Sequence, residues 1–207
     1  MPGPDEEPNI PRRQIRAVFD ERTIRVYQVY SHVIADSALQ HGRFVSPPFS
    51  MTRMTWIKPS FLWMMYRAGW GEKDDGQRRI LALDIRRDGF EWALSQACLS
   101  HYDPDFHPSH AAWQVALQAS LVRIQWDPER DFHFRALNHR SLQIGLRDDA
   151  VRRYVEEWVV AITDITADCT LVNAAVQAGD LVGAQQMLPA ERPYPLKTEL
   201  SERLRAE

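Results

Sequence analysis

The chain has 207 residues, 44% of them hydrophobic and 26% charged, with a net charge of -3. That length supports one well-buried domain and requires no second. The near-neutral balance supplies no global field for nucleic acid, so a polyanion has to be met by a local basic patch.

Met1–Pro8 is acidic and proline-rich, the opposite of a secretory signal. It predicts a disordered leader over residues 1–11, a single globular domain over 12–190 and a loosely attached C-terminal tail over 191–207. Gln14–Phe19 and Thr23–Tyr30 are β-branched and aromatic runs separated by Asp20-Glu21-Arg22, which predicts a hairpin. In the second run Ile24, Val26, Gln28 and Tyr30 share one face. Gln28 interrupts that apolar face, so its amide is either bonded to backbone or aimed at a ligand. Arg16, Arg25 and Tyr27 form a small basic, aromatic patch if they share the other face; otherwise the arginines are simply solvated. Ser31 caps a helix running to about His41, which Gly42 closes.

Arg53 to Gly71 is the most informative stretch. Trp56, Trp63 and Trp70 stand there beside Arg53, Lys58 and Arg67, and four of the six methionines fall between Met51 and Met65. Indole, thioether and fixed positive charge together suit a planar, anionic ligand. The same spacing also suits a core helix whose charges point to water. On the predicted helix Ser60–Arg67, Ser60, Trp63 and Arg67 lie one turn apart and share a face, while Phe61, Met64 and Met65 turn toward the core.

Arg79–Ile85 reads as a largely buried strand, in which Asp84 is either a structural partner of an arginine, the favoured reading, or a candidate base. Gly89–Ser100 and Trp113–Ala119 read as helices. Leu121–Trp126 and Phe132–Leu137 read as strands joined by a turn at Asp127-Pro128-Glu129-Arg130, and Ser141–Leu146 as a further strand. Asp148–Trp158 is a helix, Val159–Ile165 a strand, and Thr166–Leu188 one or two helices. Strands and helices mix without βαβ alternation, which predicts an α+β fold with a mixed or antiparallel sheet.

The common nucleotide, hydrolase and zinc-protease motifs are missing. His101, Asp103, Asp105, His107 and His110 are possible metal ligands, but an unanchored loop fixes ligand geometry poorly. The stretch reads as a solvated connector, and no metal is expected. Arg140, Ser141 and Gln143 offer donors beside Gly145, where a backbone or ligand can come close. Cys98 and Cys169 lie in apolar, helix-like runs, which predicts buried free thiols and a reducing cytoplasm. No segment approaches the ~20 apolar residues that cross a bilayer, so no membrane partner is expected.

Arg16–Asp20, Thr23–Tyr30, Arg53–Arg67 and Arg140–Leu146 together resemble the family called domain of unknown function 4291, over roughly residues 13–190. A weaker, fold-level resemblance is to ADP-ribosyltransferases. There an early strand carries a residue that grips the dinucleotide, aromatic side chains stack the nicotinamide, and a late strand presents a glutamate. Arg16 or Tyr27-Gln28, the helix from Ser31, the Trp-rich segment and the strand with Gln143 follow that order. Gln143 stands where the glutamate is wanted, and it cannot carry the charge that stabilises an oxocarbenium-like centre.

The resulting expectation is a cleft for a nucleotide-like ligand, with NAD as the cofactor the resemblance implies. Arg53, Lys58 and Arg67 bind its anionic groups. Trp56, Trp63 and Tyr66 wall the ring. Tyr27, Gln28, Ser60, Arg140 and Ser141 complete the ligand contacts. Lys58, Arg16 and Gln143 are the catalytic candidates for group transfer to a nucleic acid or small molecule. The alternative is a non-catalytic protein whose tryptophans form a platform for a protein or single-stranded nucleic acid.

Overall fold

The structure, a computed structural model, describes residues 10–207. Most of the expected leader therefore lies outside the described residues. The architecture is α+β, with two main sheets that meet along one seam.

The first sheet is antiparallel in the order β2 (Thr23–Tyr30), β4 (Arg79–Arg86), β8 (Val159–Asp164). β4 is central, and its Ile80, Leu81, Ala82, Leu83 and Ile85 are all buried. A strand covered on both faces reads as a continuous apolar run. Ile24 and Val26 of β2 join the larger core, while Tyr27 turns into a second cluster with Phe61, Met64, Met65 and Trp70. Both faces of β2 are therefore occupied. Asp84 is held by Arg25 through two nitrogens at 2.9 Å, as the apolar setting of that carboxylate predicts.

The second sheet runs β3 (Thr55–Ile57), β7 (Ala136–Leu146), β6 (Val122–Arg130), β5 (Ala97–Leu99). Only its β5–β6 pair is parallel. Two expectations fail in this sheet. The predicted turn at Asp127–Arg130 is strand, with a register shift between Pro128 and Arg130 that accommodates the proline. The chain reverses instead at Asp131–Arg135, where the Asp131 carboxylate accepts from the backbone N–H groups of His133 and Arg135 at 2.9 Å. Ser141–Leu146 is thus the end of one long strand. The helix expected to reach Ser100 stops earlier: α3 (Arg87–Ser95) is followed directly by β5.

The early hairpin forms only locally. Phe19 bridges Ile24, but β1 (Arg16–Ala17) pairs with β9 (Arg192–Pro193). That pairing also corrects the loose tail. Tyr194 and Leu204 are buried, Arg87 Nε donates to the Tyr194 hydroxyl at 2.9 Å, and α8 (Thr198–Leu204) packs against α3. Apolar residues at 194 and 204 dock the segment despite its prolines and charges.

Cys98 and Cys169 are free and buried. Among the described residues, no helix is long and apolar enough to cross a membrane.

Candidate functional site

The seam between the sheets creates the site. The Tyr27 N–H donates to the Lys58 carbonyl at 2.7 Å, and Gln28 Nε2 donates to the Trp56 carbonyl at 2.9 Å. These two bonds tie the segment after β3 to the edge of β2. Gln28 is completed by the Tyr154 hydroxyl, which donates to its Oε1 at 2.7 Å. The amide that interrupts an apolar face is therefore satisfied within the fold while it also borders a cleft.

Ser60 then caps α2 (Phe61–Ala68), its Oγ accepting from the Trp63 N–H at 3.2 Å. Pro59 precedes the cap, although proline suits the first helical position, and the helix opens two residues later at Phe61. Gly69, at φ 56°, ends it in a left-handed conformation that glycine adopts without penalty.

Between the end of β2, the β3 segment, α2 and the turn at Asp74–Gln77 lies an open cleft of about 750 Å³. Of the residues singled out in the sequence, Gln28, Arg53, Trp56, Lys58, Arg67 and Gln143 line it. Lys58 is 6% exposed, the only charged side chain among the described residues that is fully buried, and no carboxylate pairs with it. Its Nζ stands 5.2 Å from the centre of the Trp63 ring. Burial pushes the amine down to about 7, the Arg67 charge adds to the effect, and Asp127 partly opposes it. Arg53 and Arg67 are exposed at the rim. Trp56 is half-buried and lies over Gly145: a Cβ there would meet the Trp56 ring and Met54 Sδ at 3.0 Å. The close approach expected at Gly145 is thus made by an indole.

Gln143 does not present a free amide. Its Nε2 donates to Asp127 Oδ2 at 2.8 Å, and Gln125 Nε2 donates to the other carboxylate oxygen at 2.8 Å. A carboxylate therefore stands directly behind the glutamine.

The remaining candidates lie outside the cleft. Tyr27 is 1% exposed, packs edge-on against Phe61 at 5.6 Å, and its hydroxyl has no partner among the described residues. Trp63 is buried, and so is Ser60, so the expected division of α2 into a ligand face and a core face fails. Only Tyr66 and Arg67 of that helix are exposed, because the second cluster covers it on more than one side. Tyr66 lies under the Arg130 guanidinium at 4.0 Å. Arg140 Nη1 donates to the Trp126 carbonyl, Ser141 is buried opposite Asp127, and Arg16 is bonded to Gln14. Tyr27 is buried, so Arg16 and Arg25 share no exposed aromatic patch with it.

Several cleft residues carried no local signal. Tyr30, Ser50, Thr55 and Gln77 line the walls, and Asp74 brings a carboxylate to the rim, where it accepts from the Gly76 N–H at 2.9 Å. A second perturbed group sits behind α2. The Glu191 carboxylate accepts from the Phe61 N–H at 2.7 Å. Burial pushes Glu191 up to about 8; the Phe61 bond opposes this, the Glu129 charge adds to it, and Arg16 opposes it. Its place in the expected tail hid it.

The residues of the His101–His110 stretch go to separate partners. Asp103 faces Arg13 at 3.5 Å, Asp105 faces Arg205 at 3.5 Å, His110 packs on Trp113, and His107 Nε2 lies 3.8 Å from Cys98 Sγ. Among the described residues no group of three or more His, Cys, Asp or Glu side chains is placed to hold a metal ion.

No curated protein matches the chain. Residues 14–194 match the family described as Domain of unknown function (DUF4291), which spans both sheets, the cleft and the strand that carries Gln143. The chain belongs to that family.

Proposed function

We propose that the protein binds an anionic, nucleotide-like ligand in the cleft beside Lys58, with NAD the first candidate. The observation that carries this reading is a buried cation with no protein counter-ion on the wall of a ligand-sized cleft. A buried charge is costly unless it is paired. An anionic group of the ligand supplies the missing partner, and Arg53 and Arg67 meet it at the mouth. The half-buried Trp56 offers the planar surface for a base or nicotinamide ring. Group transfer from NAD is the reaction this reading favours. Asp127, bonded to Gln143, supplies the negative charge that a glutamine lacks. A cytoplasmic setting suits the two buried thiols.

The platform alternative draws less support. Trp63 and Trp70 are buried, so Trp56 and the exposed Tyr66 are the aromatic surface left from that segment.

The test is calorimetry with NAD, ADP-ribose and AMP on protein freed of carried-over ligand. At least one should bind, and Arg67→Gln should weaken it by roughly tenfold, the loss of about 1.4 kcal/mol. If none binds, the proposal fails.

A further inference from the structure

The chain contains 22 arginines and three lysines, Lys58, Lys73 and Lys197. Lys73 and Lys197 are exposed. Lys58 alone is buried, lines the cleft and lacks a carboxylate partner. Where this protein needs a permanent positive charge it almost always uses arginine, including the two cations at the cleft mouth. A lysine in the enclosed position differs from arginine in the respect that matters for covalent chemistry: it can give up its proton and expose a lone pair.

We propose that Lys58 is a carbonyl-reactive amine, forming an imine with an aldehyde or reducing sugar that carries a phosphate group. The inference rests on the reading of the cleft as an anion site and names the substrate class for it. Arg53 and Arg67 hold the phosphate, and the Lys58 Nζ meets the carbonyl carbon. The amine's fall to about 7 leaves a large neutral fraction at neutral pH, whereas an ordinary lysine amine is almost wholly protonated there.

The Nζ lone pair attacks the carbonyl carbon and a C–N bond forms. The carbonyl π pair moves to oxygen, which takes up a proton as nitrogen releases one. The carbinolamine then loses its hydroxyl, with a proton, as water. Nitrogen releases its second proton, and the products are an imine and one water molecule. No oxidant or reductant takes part. Asp127 lies close enough for its charge to act on the amine and is the candidate to carry these protons. ADP-ribose, whose anomeric carbon is free, belongs to this substrate class; NAD, whose anomeric carbon is tied to nicotinamide, does not.

The test uses the full chain, pyridoxal 5′-phosphate as a phosphate-bearing aldehyde probe, and borohydride to fix the adduct, with peptide mass spectrometry to place it. At pH 7 the reduced adduct should fall on Lys58 at least about tenfold over Lys73 and Lys197. Lys58→Arg, which keeps the charge, should abolish it, and Arg67→Gln should lower the yield several-fold without unfolding the protein. NAD should suppress the label without forming one. Label spread over Lys73 and Lys197 with Lys58 unmodified overturns the proposal. If NAD still binds in that case, the anion-site reading stands and only the imine chemistry is lost. Selective label at Lys58 in a protein that binds no nucleotide supports the imine and removes the nucleotide reading.

Discussion

Replacing Lys58 by methionine measures what its buried amine costs the fold. Burial pushes this amine from 10.5 in the unfolded chain down to about 7 in the native protein. Between those values the unfolded chain binds more protons than the native one, so this group makes stability rise with pH. The penalty is full below pH 7 and fades as the pH approaches 10.5. At roughly 1.4 kcal/mol per unit it amounts to about 4 kcal/mol at pH 7 and about 2 kcal/mol at pH 9. Methionine is of similar length and suits a site beside Trp63 and Met64. Urea denaturation of both proteins at pH 7, 8 and 9 isolates the effect, because every other titrating group is shared. The variant's stability advantage over the parent should shrink by about 2 kcal/mol from pH 7 to pH 9. Stabilities that stay parallel across that range would refute the account of Lys58 as a desolvated, unpaired amine.

Glu191 gives the opposite slope. It ionises above 4.5 when unfolded but only near 8 when folded, so its contribution falls as pH rises through that window. Glu191→Gln should remove about 3 to 4 kcal/mol of pH dependence between pH 5 and pH 8, read from the same denaturation series. Gln28→Leu leaves the Tyr154 hydroxyl and the Trp56 carbonyl without their partner. It should cost about 2–3 kcal/mol by thermal unfolding and loosen the cleft wall, with weakened ligand binding beyond the stability loss. Gly89→Ala places a Cβ 2.4 Å from the Trp158 ring. The expected loss is about 1–3 kcal/mol in a denaturant midpoint, with ligand affinity unchanged.

The sequence was most legible where chemistry is local. Gly42 and Gly69 as helix ends, β4 as a buried strand and Asp84 as an arginine's partner all follow from neighbouring residues. Six of the candidate site residues line one cleft, because four of them sit on the Trp-rich segment and the fold brings Gln28 of β2 and Gln143 of β7 beside it. Arg16, Tyr27, Ser60, Trp63, Tyr66, Arg140 and Ser141 do not line it. For Tyr27 the reason is the second core cluster, which covers a face that a single-core picture leaves to ligand, while Trp63 is buried beside Lys58 and Tyr66. Asp74, Gln77 and Glu191 carried no signal because their roles depend on what packs against them.

Composition and patterning alone established an α+β chain with a segment rich in cations and indoles. They could not say which side of that segment faces a hollow, since α2 offers apolar residues over nearly its whole circumference. That was decided by two long-range contacts, Tyr27 to Lys58 and Gln28 to Trp56, which join the sheets along a seam. A buried, unpaired amine exists only once those edges have met, because desolvation belongs to the assembled surroundings and to no residue in isolation.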